Sequence, residues 1–263
     1  MNESTAPLRV FLTGASSGIG EALARHYAAQ GAQIGLVARR GDMLASLLAS
    51  LPGDKKSHIA LVASVTDPAS MRAAAEQYMS RFGLPDIVIA NAGISTGSLT
   101  DESSDLEVFE AVLRTNVLGM VATFMPFARA MRRRGSGKLV GISSVAGVRG
   151  LPGAGAYSAS KAAVSRYLES LRIEMRGTGV QVVDIRPGYI ATPMTAVNPY
   201  VMPFILQADD AAQRFARVIA KGRSQATIPW QMNIVAKLMT CLPNWIFDRA
   251  LAGAKRKPRG LPL

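Results

Sequence analysis

Tyr157 and Lys161, in the stretch Tyr157-Ser158-Ala159-Ser160-Lys161, are four residues apart, which puts both side chains on one face of a helix. A phenol keeps its proton to about pH 10, but an adjacent ammonium favours the phenolate, so such a pair can give or take a proton at a carbonyl or carbinol oxygen. The alternative is a packed ring beside a lysine whose alkyl stem lies along it. Ser144, after the apolar stretch Lys138 to Ile142, offers a hydroxyl that can hydrogen-bond an oxygen on which charge develops. Nearer the start, Thr13-Gly14-Ala15-Ser16-Ser17-Gly18-Ile19-Gly20 leads directly into helical Glu21-Ala22-Leu23-Ala24. Its glycines allow a tight turn and close backbone approach, and the helix start presents N–H groups and a positive dipole end, together a cradle for a pyrophosphate. A glycine-rich turn serving packing alone is the alternative.

These groups need elements to position them, and the chain supplies short apolar runs in alternation with helical patterns. Strands are expected at Leu8–Leu12, Gln33–Val37, Ile59–Val62, Ile87–Ala90, Lys138–Ile142 and Val180–Ile185. Between them fall helices at Glu21–Gln30, Gly41–Ala49, Pro68–Phe82, Leu106–Arg134 and Tyr157–Arg176. Such alternation gives parallel βαβ units, hence an α/β fold with a doubly wound parallel sheet and helices on both faces, whose ligands bind beyond the carboxyl ends of the strands. Residues 1–225 form the nucleotide-binding and catalytic part. Residues 226–263 belong to the same domain as a C-terminal extension, with a last strand at Ala226–Pro229, amphipathic helices at Gln231–Cys241 and Asn244–Leu251, and a basic tail.

The second strand ends Leu36-Val37-Ala38-Arg39-Arg40. No carboxylate stands at its tip to bind adenosine ribose hydroxyls, and Arg39 can pair bidentately with a 2′-phosphate, so NADP(H) is the expected cofactor. Two solvated arginines opening a helix, with NAD(H) bound instead, are the alternative.

The spacing Thr-Gly-x-x-x-Gly-x-Gly, followed in order by Asn91-Ala92-Gly93, Asn116, Ser144, Tyr157 with Lys161, and Pro187-Gly188, resembles the short-chain dehydrogenase/reductase family from about Leu8 to Thr192. The resemblance implies a Rossmann-type fold and a catalytic set of Asn116, Ser144, Tyr157 and Lys161. In it Ser144 rather than Ser143 orients the substrate oxygen, Lys161 also holds the nicotinamide ribose, and Asn116 supports a helix irregularity and a water-mediated proton path. It assigns cofactor contacts to Gly14, Ser16, Ser17, Gly18, Ile19, Gly20, Arg39, Arg40, Val65, Asn91, Ala92, Gly93, Tyr157, Lys161, Pro187, Gly188, Ile190 and Thr192. Ser64 departs from the pattern, standing where family members usually carry an Asp on the adenine; its hydroxyl can still bond the amino group. Asp67 before Pro68 reads as a helix N-cap. The implied activity is hydride exchange between nicotinamide and a carbonyl or alcohol, with an NAD-linked alcohol dehydrogenase and a non-catalytic NADP(H)-binding sensor as rivals. In this family the Met194–Leu206 segment forms a substrate lid, which makes Met194, Tyr200, Met202 and Phe204 substrate candidates beside Ser144 and Tyr157.

Composition bounds the remaining readings. The chain of 263 residues has 30 Lys and Arg against 18 Asp and Glu, a formal charge of +12, with 49% hydrophobic residues, enough for a sizeable core and too many for disorder. The cations cluster at Arg129, Arg132, Arg133, Arg134 and Lys138, and in the tail at Arg249, Lys255, Arg256, Lys257 and Arg259. They read as solvated faces rather than a stripe interleaved with aromatics, so no nucleic-acid partner is expected. No metal site is expected: His26 and His58 are isolated, and the lone Cys241 reads as a packed thiol. Asp184 and Arg186 flank a strand end and read as a mutual pair.

Residues 1–7 are too polar for a secretory signal, and prolines break the charge-free Pro187–Ala208 stretch, so a cytoplasmic location without a membrane span is expected. The C-terminal part resembles the lipid- and steroid-associated branch of the family. Exposed Trp230, Ile234, Leu238, Trp245 and Ile246 beside the cationic tail would suit a homodimer or homotetramer interface, or peripheral membrane contact.

Overall fold

The computed structural model describes residues 6–260. Residues 1–5, on which most of the signal-peptide reading rests, and 261–263, the end of the tail, lie outside them. The chain runs through β1 (Arg9–Thr13), α1 (Gly18–Ala29), β2 (Gln33–Ala38), α2 (Gly41–Ser50), β3 (His58–Val62), α3 (Pro68–Phe82) and β4 (Ile87–Ala90). It continues with α4 (Asp105–Leu113), a π turn at Arg114–Leu118, α5 (Gly119–Arg134), β5 (Gly137–Ile142), α6 (Gly155–Glu174) and β6 (Val180–Pro187). There follow β7 (Ile190–Ala191), α7 (Pro193–Ala196), β8 (Leu206–Gln207), α8 (Ala208–Ala220), β9 (Gln225–Ile228), α9 (Trp230–Cys241) and α10 (Asn244–Leu251).

Seven strands form one parallel sheet in the order β3-β2-β1-β4-β5-β6-β9. The Rossmann-type expectation thus holds, and its physical basis is visible in β1: Val10 and Leu12 point into the layer of α1, α2 and α8, while Phe11 points into the layer of α3, α5 and α6. A strand covered on both faces needs apolar residues at consecutive positions rather than at alternate ones. Phe11 packs edge-on against Tyr78, ring centroids 5.5 Å apart, and 4.8 Å from Phe127. Each such side chain contributes about 1.5–3 kcal/mol through burial. Asp67 caps α3, accepting from the N–H groups of Ala69 (3.0 Å) and Ser70 (3.3 Å).

Several expectations need correction. Helix α1 starts at Gly18, three residues ahead of Glu21, because the glycine turn itself becomes the first helical turn. The long helix from Asp105 to Arg134 is not continuous but interrupted by the π turn, at the Asn116 irregularity that the family resemblance implies. It has the length and apolarity to cross a membrane, yet Val112, Met120, Phe124, Phe127 and Met131 are buried, the last four within the core beside the sheet. Within the first basic cluster Arg134 is no free surface charge: its guanidinium donates to the carbonyls of Leu84 (3.0 Å) and Pro85 (2.8 Å), and Lys138 Nζ donates to that of Ala220 at 2.7 Å. Cys241 ends α9 exposed rather than packed.

The tail departs most from expectation, since it folds back instead of remaining solvated. Arg259 pairs with Asp105 (2.7 Å) and Glu102 (3.1 Å), the Pro258 carbonyl accepts from the N–H of Gly97 (2.9 Å), and Lys257 is buried. Acidic groups at the start of α4 and the backbone of the 95–98 loop provide the partners. Trp230, Ile234, Leu238 and Trp245 are exposed as expected, whereas Ile246 is half-buried.

Candidate active site

Strands β2 and β3 lie to one side of β1 and β4 to β6 to the other, so the order of connection reverses at the carboxyl ends of β1 and β4. A cavity of about 250 Å³ opens there, where an open α/β sheet is expected to bind ligands. On the β1–β3 side it is lined by Gly14, Ser16, Ser17, Gly18 and Ile19, by Arg39 and Arg40 and by Ser64 and Val65, with Asn91, Ala92 and Gly93 at the β4 tip. Beyond β5 and β6 stand Ser144, Tyr157 and Lys161 with Pro187, Gly188, Ile190, Thr192 and Met194. None of the described lining residues is acidic, while Arg39, Arg40 and Lys161 are basic, a field suited to a polyanionic ligand.

Gly20 and Asn116 lie behind this wall. A Cβ on Gly20 would fall 2.0 Å from the Gly14 carbonyl oxygen, and one on Gly14, whose φ is +67°, 2.7 Å from Ala92 Cα. The turn is therefore as close to the β4 loop as backbone permits. Asn91 locks the approach, its Nδ2 donating to the carbonyls of Thr13 and Gly14, both at 3.1 Å, while its own N–H donates to Thr13 Oγ1 at 3.2 Å. Ser17 precedes α1 without using its hydroxyl as a cap, so the N–H groups of the first turn face the cavity. Arg40 donates to Ser16 Oγ (3.1 Å) and Ser17 Oγ (3.3 Å), while Arg39 is exposed at the mouth. These features fit the phosphates of a dinucleotide. Ser64 bonds within its own turn, its Oγ 2.8 Å from Thr66 Oγ1.

At the other end the two adjacent serines diverge. Ser143 is buried and donates to the Asp184 carboxylate and the Ile185 carbonyl. Ser144 starts a short 3-10 turn (Val145–Gly147), where its Oγ accepts the N–H of Ala146 at 3.1 Å and keeps its own proton for another acceptor. Tyr157 lies in the first turn of α6 and Lys161 one turn later, with Nζ 5.6 Å from the centre of the Tyr157 ring and donating to the Ile142 carbonyl at 2.8 Å.

The charge relation between the pair differs from the simple expectation. Burial pushes the Tyr157 phenol up, and the hydrogen bond from Ser144, rather than the ammonium, pulls it back. Lys161 itself is lowered to about 8 by burial, opposed by the Asp184 carboxylate. With Nζ over the ring and turned to a carbonyl, its charge is not directed at the phenol oxygen.

Asn116 sits in the π turn, whose extra residue lets its side chain reach the Gly93–Ile94 backbone. Oδ1 accepts from the N–H of Ile94 (2.8 Å), and Nδ2 donates to the Ile94 carbonyl (3.0 Å) and to Ser160 Oγ (2.9 Å). Ser160 in turn donates to the Tyr157 carbonyl at 2.7 Å. Asn116 thus braces the helix that carries Tyr157, with both amide protons held by protein oxygens.

The lid candidates separate. Met194 lines the main cavity, and Tyr200 lines a second one of about 370 Å³. Met202 and Phe204 line neither: Met202 Sδ accepts from Asn198 Nδ2 at 3.4 Å, and Phe204 is half exposed. Val201 borders the second cavity, while Phe204 and Ile205 turn largely to solvent and line neither. The sequence assigns Thr13, Ser160, Asp184 and Lys257 no role in the site, although Asp184, paired with Arg186 at 2.9 Å as expected, is the acidic residue on the strand leading to Pro187-Gly188.

A model of the short chain dehydrogenase family matches residues 9–199. An uncharacterized oxidoreductase of Myxococcus xanthus is 37% identical over 241 residues, covering 91% of this chain and 94% of that protein. Among solved structures, an alcohol dehydrogenase of the archaeon Thermococcus sibiricus complexed with 5-hydroxy-NADP is 27% identical at a TM-score of 0.75, covering 84% of this chain and 95% of its own. A short chain dehydrogenase/reductase of Burkholderia phymatum in complex with NAD shares the fold at 24% identity, with a TM-score of 0.79 over 98% of both chains.

Proposed function

Because this chain belongs to the short-chain dehydrogenase family of oxidoreductases, we propose that it interconverts a carbonyl group and an alcohol on a hydrophobic small molecule using NADP(H). The observation that carries this reading is the convergence of Ser144, Tyr157 and Lys161 on one wall of a cavity that also opens onto the glycine turn. When bound, the nicotinamide cofactor supplies or takes up the hydride. In the reductive direction Tyr157 gives its proton to the carbonyl oxygen, and the O–H of Ser144, released from Tyr157, holds that oxygen as charge builds on it. Lys161, fixed by the Ile142 carbonyl with its ammonium over the Tyr157 ring, keeps a positive charge within the same wall as the phenolate that remains, and the Asp184 carboxylate helps keep that cation protonated.

Preference for the 2′-phosphorylated cofactor rests on Ala38, Arg39 and Arg40 at the β2 tip and on a lining free of acidic residues. Initial rates with NADPH and NADH test it. NADPH should win, and Arg39→Ala should cost about tenfold or more in its kcat/KM, the scale of one charge-assisted hydrogen bond, while leaving NADH turnover unchanged. A preference for NADH would overturn it. The exposed stripe of Trp230, Ile234 and Leu238 on α9, with Trp245, supports a homo-oligomer.

A further inference from the structure

The second cavity, about 370 Å³, has apolar and aromatic walls, among them Leu151, Tyr189, Tyr200 and Leu251, and two cations, Lys255 and Lys257. It adjoins the catalytic cavity. Tyr189 directly follows Gly188, and Lys257 Nζ donates at 3.0 Å to the carbonyl of Met194, both Gly188 and Met194 lining the first cavity. Lys257 is only 8% exposed, and its other partner is a hydroxyl, Ser95 Oγ at 3.1 Å. Among the described residues no carboxylate pairs with it, whereas Arg259, two residues on, is matched by Asp105 and Glu102. An ammonium carries three N–H donors, and here two meet neutral oxygens. Its position is built in, since a Cβ on Gly97 would fall 2.2 Å from the Lys257 carbonyl oxygen. A buried cation without a counter-ion is costly in an apolar setting, and a ligand anion would relieve that cost.

We propose that this second cavity receives the acidic end of an amphiphilic carbonyl substrate, with Lys257 as the residue that selects for its carboxylate or phosphate. The proposal deepens the oxidoreductase reading and rests on it. Burial lowers Lys257 to about 8, so the selection is full below that pH and fades above it as the ammonium deprotonates. Among the described residues, the other ionisable groups around the chamber are Lys255 and the phenols of Tyr189 and Tyr200, which burial raises.

The test uses the full chain and paired probes. Octanoate and octanamide are titrated calorimetrically, and 7-oxooctanoate and its methyl ester are compared as substrates with NADPH. The wild type should favour each anion at least tenfold, in affinity and in KM rather than kcat, and the ratio should fall as pH rises through 8. Lys257→Met should bring both ratios near unity, while Lys257→Arg should preserve them, which separates lost charge from lost folding. Equal treatment of the anionic and neutral probes by the wild type, or a preference that survives Lys257→Met, would overturn the proposal. If octanoate binds through Lys257 but neither ketone consumes NADPH, the chamber stands and the reductase reading falls.

Discussion

Tyr157 is held in an environment that opposes its ionisation, and the strongest counterweight is a hydroxyl rather than a charge. Tyr157→Phe should therefore remove the proton donor while leaving the ring packed, lowering kcat by on the order of 10²–10⁴ with NADPH binding, followed by cofactor fluorescence, retained. Full activity in that variant would exclude the assigned role. The Lys161 ammonium, lowered to about 8, is present below that pH, so kcat/KM for reduction should hold to about pH 8 and decline above it. Asp184→Asn removes the carboxylate that raises this lysine and should move the decline to lower pH, as a pH-rate profile would reveal. The spacing of Tyr157 and Lys161 was readable as one helical face. The part Asp184 plays beside Lys161 was not, although its pairing with Arg186 was, because it depends on Ser143 just past β5 and Gln225 on β9, contacts that no local pattern encodes.

The seven strands of the main sheet and most helices could be located from apolar runs and turn residues to within about three residues, because a buried parallel strand and an amphipathic helix leave different periods in the sequence. Periodicity alone does not reveal the π turn, since one inserted residue in a 30-residue helix barely disturbs it; only the family resemblance points to an irregularity at Asn116. Helix α8 is absent from the expected elements, although Asp209 and Asp210 mark its acidic first turn and Ala211, Ala212, Phe215, Ala216 and Ile219 form its buried face. The π turn carries the prediction for this scale. Asn116→Ala leaves the Ile94 N–H and carbonyl and the Ser160 hydroxyl without their amide partner, so it should cost about 2–3 kcal/mol in urea unfolding and reduce kcat by loosening the helix under Tyr157. A variant as stable as the wild type would show that water replaces the side chain there.

Across the whole molecule, net charge and composition could not tell whether the basic tail trails in solvent or folds back, because that depends on Asp105, Glu102 and the 95–98 loop, far away in sequence. Nor do they say what covers the α9 stripe. If the stripe is an oligomer interface, size exclusion with light scattering should return a dimer or tetramer, and Leu238→Glu should return a monomer. A monomeric wild type would refute the assignment, and sedimentation of that monomer with anionic vesicles would give the stripe to a membrane. The returning tail also bears on how the protein should be handled. Residues 255–259 cross the substrate side of the molecule and are fastened there by Lys257 and Arg259, while Arg9 opens the inner strand β1 at its amino end, opposite the carboxyl ends where the cavity lies. An affinity handle or fluorescent fusion joined to the carboxyl end would be tethered beside the working chamber and could distort measured selectivity, so the amino end is the sound place for one.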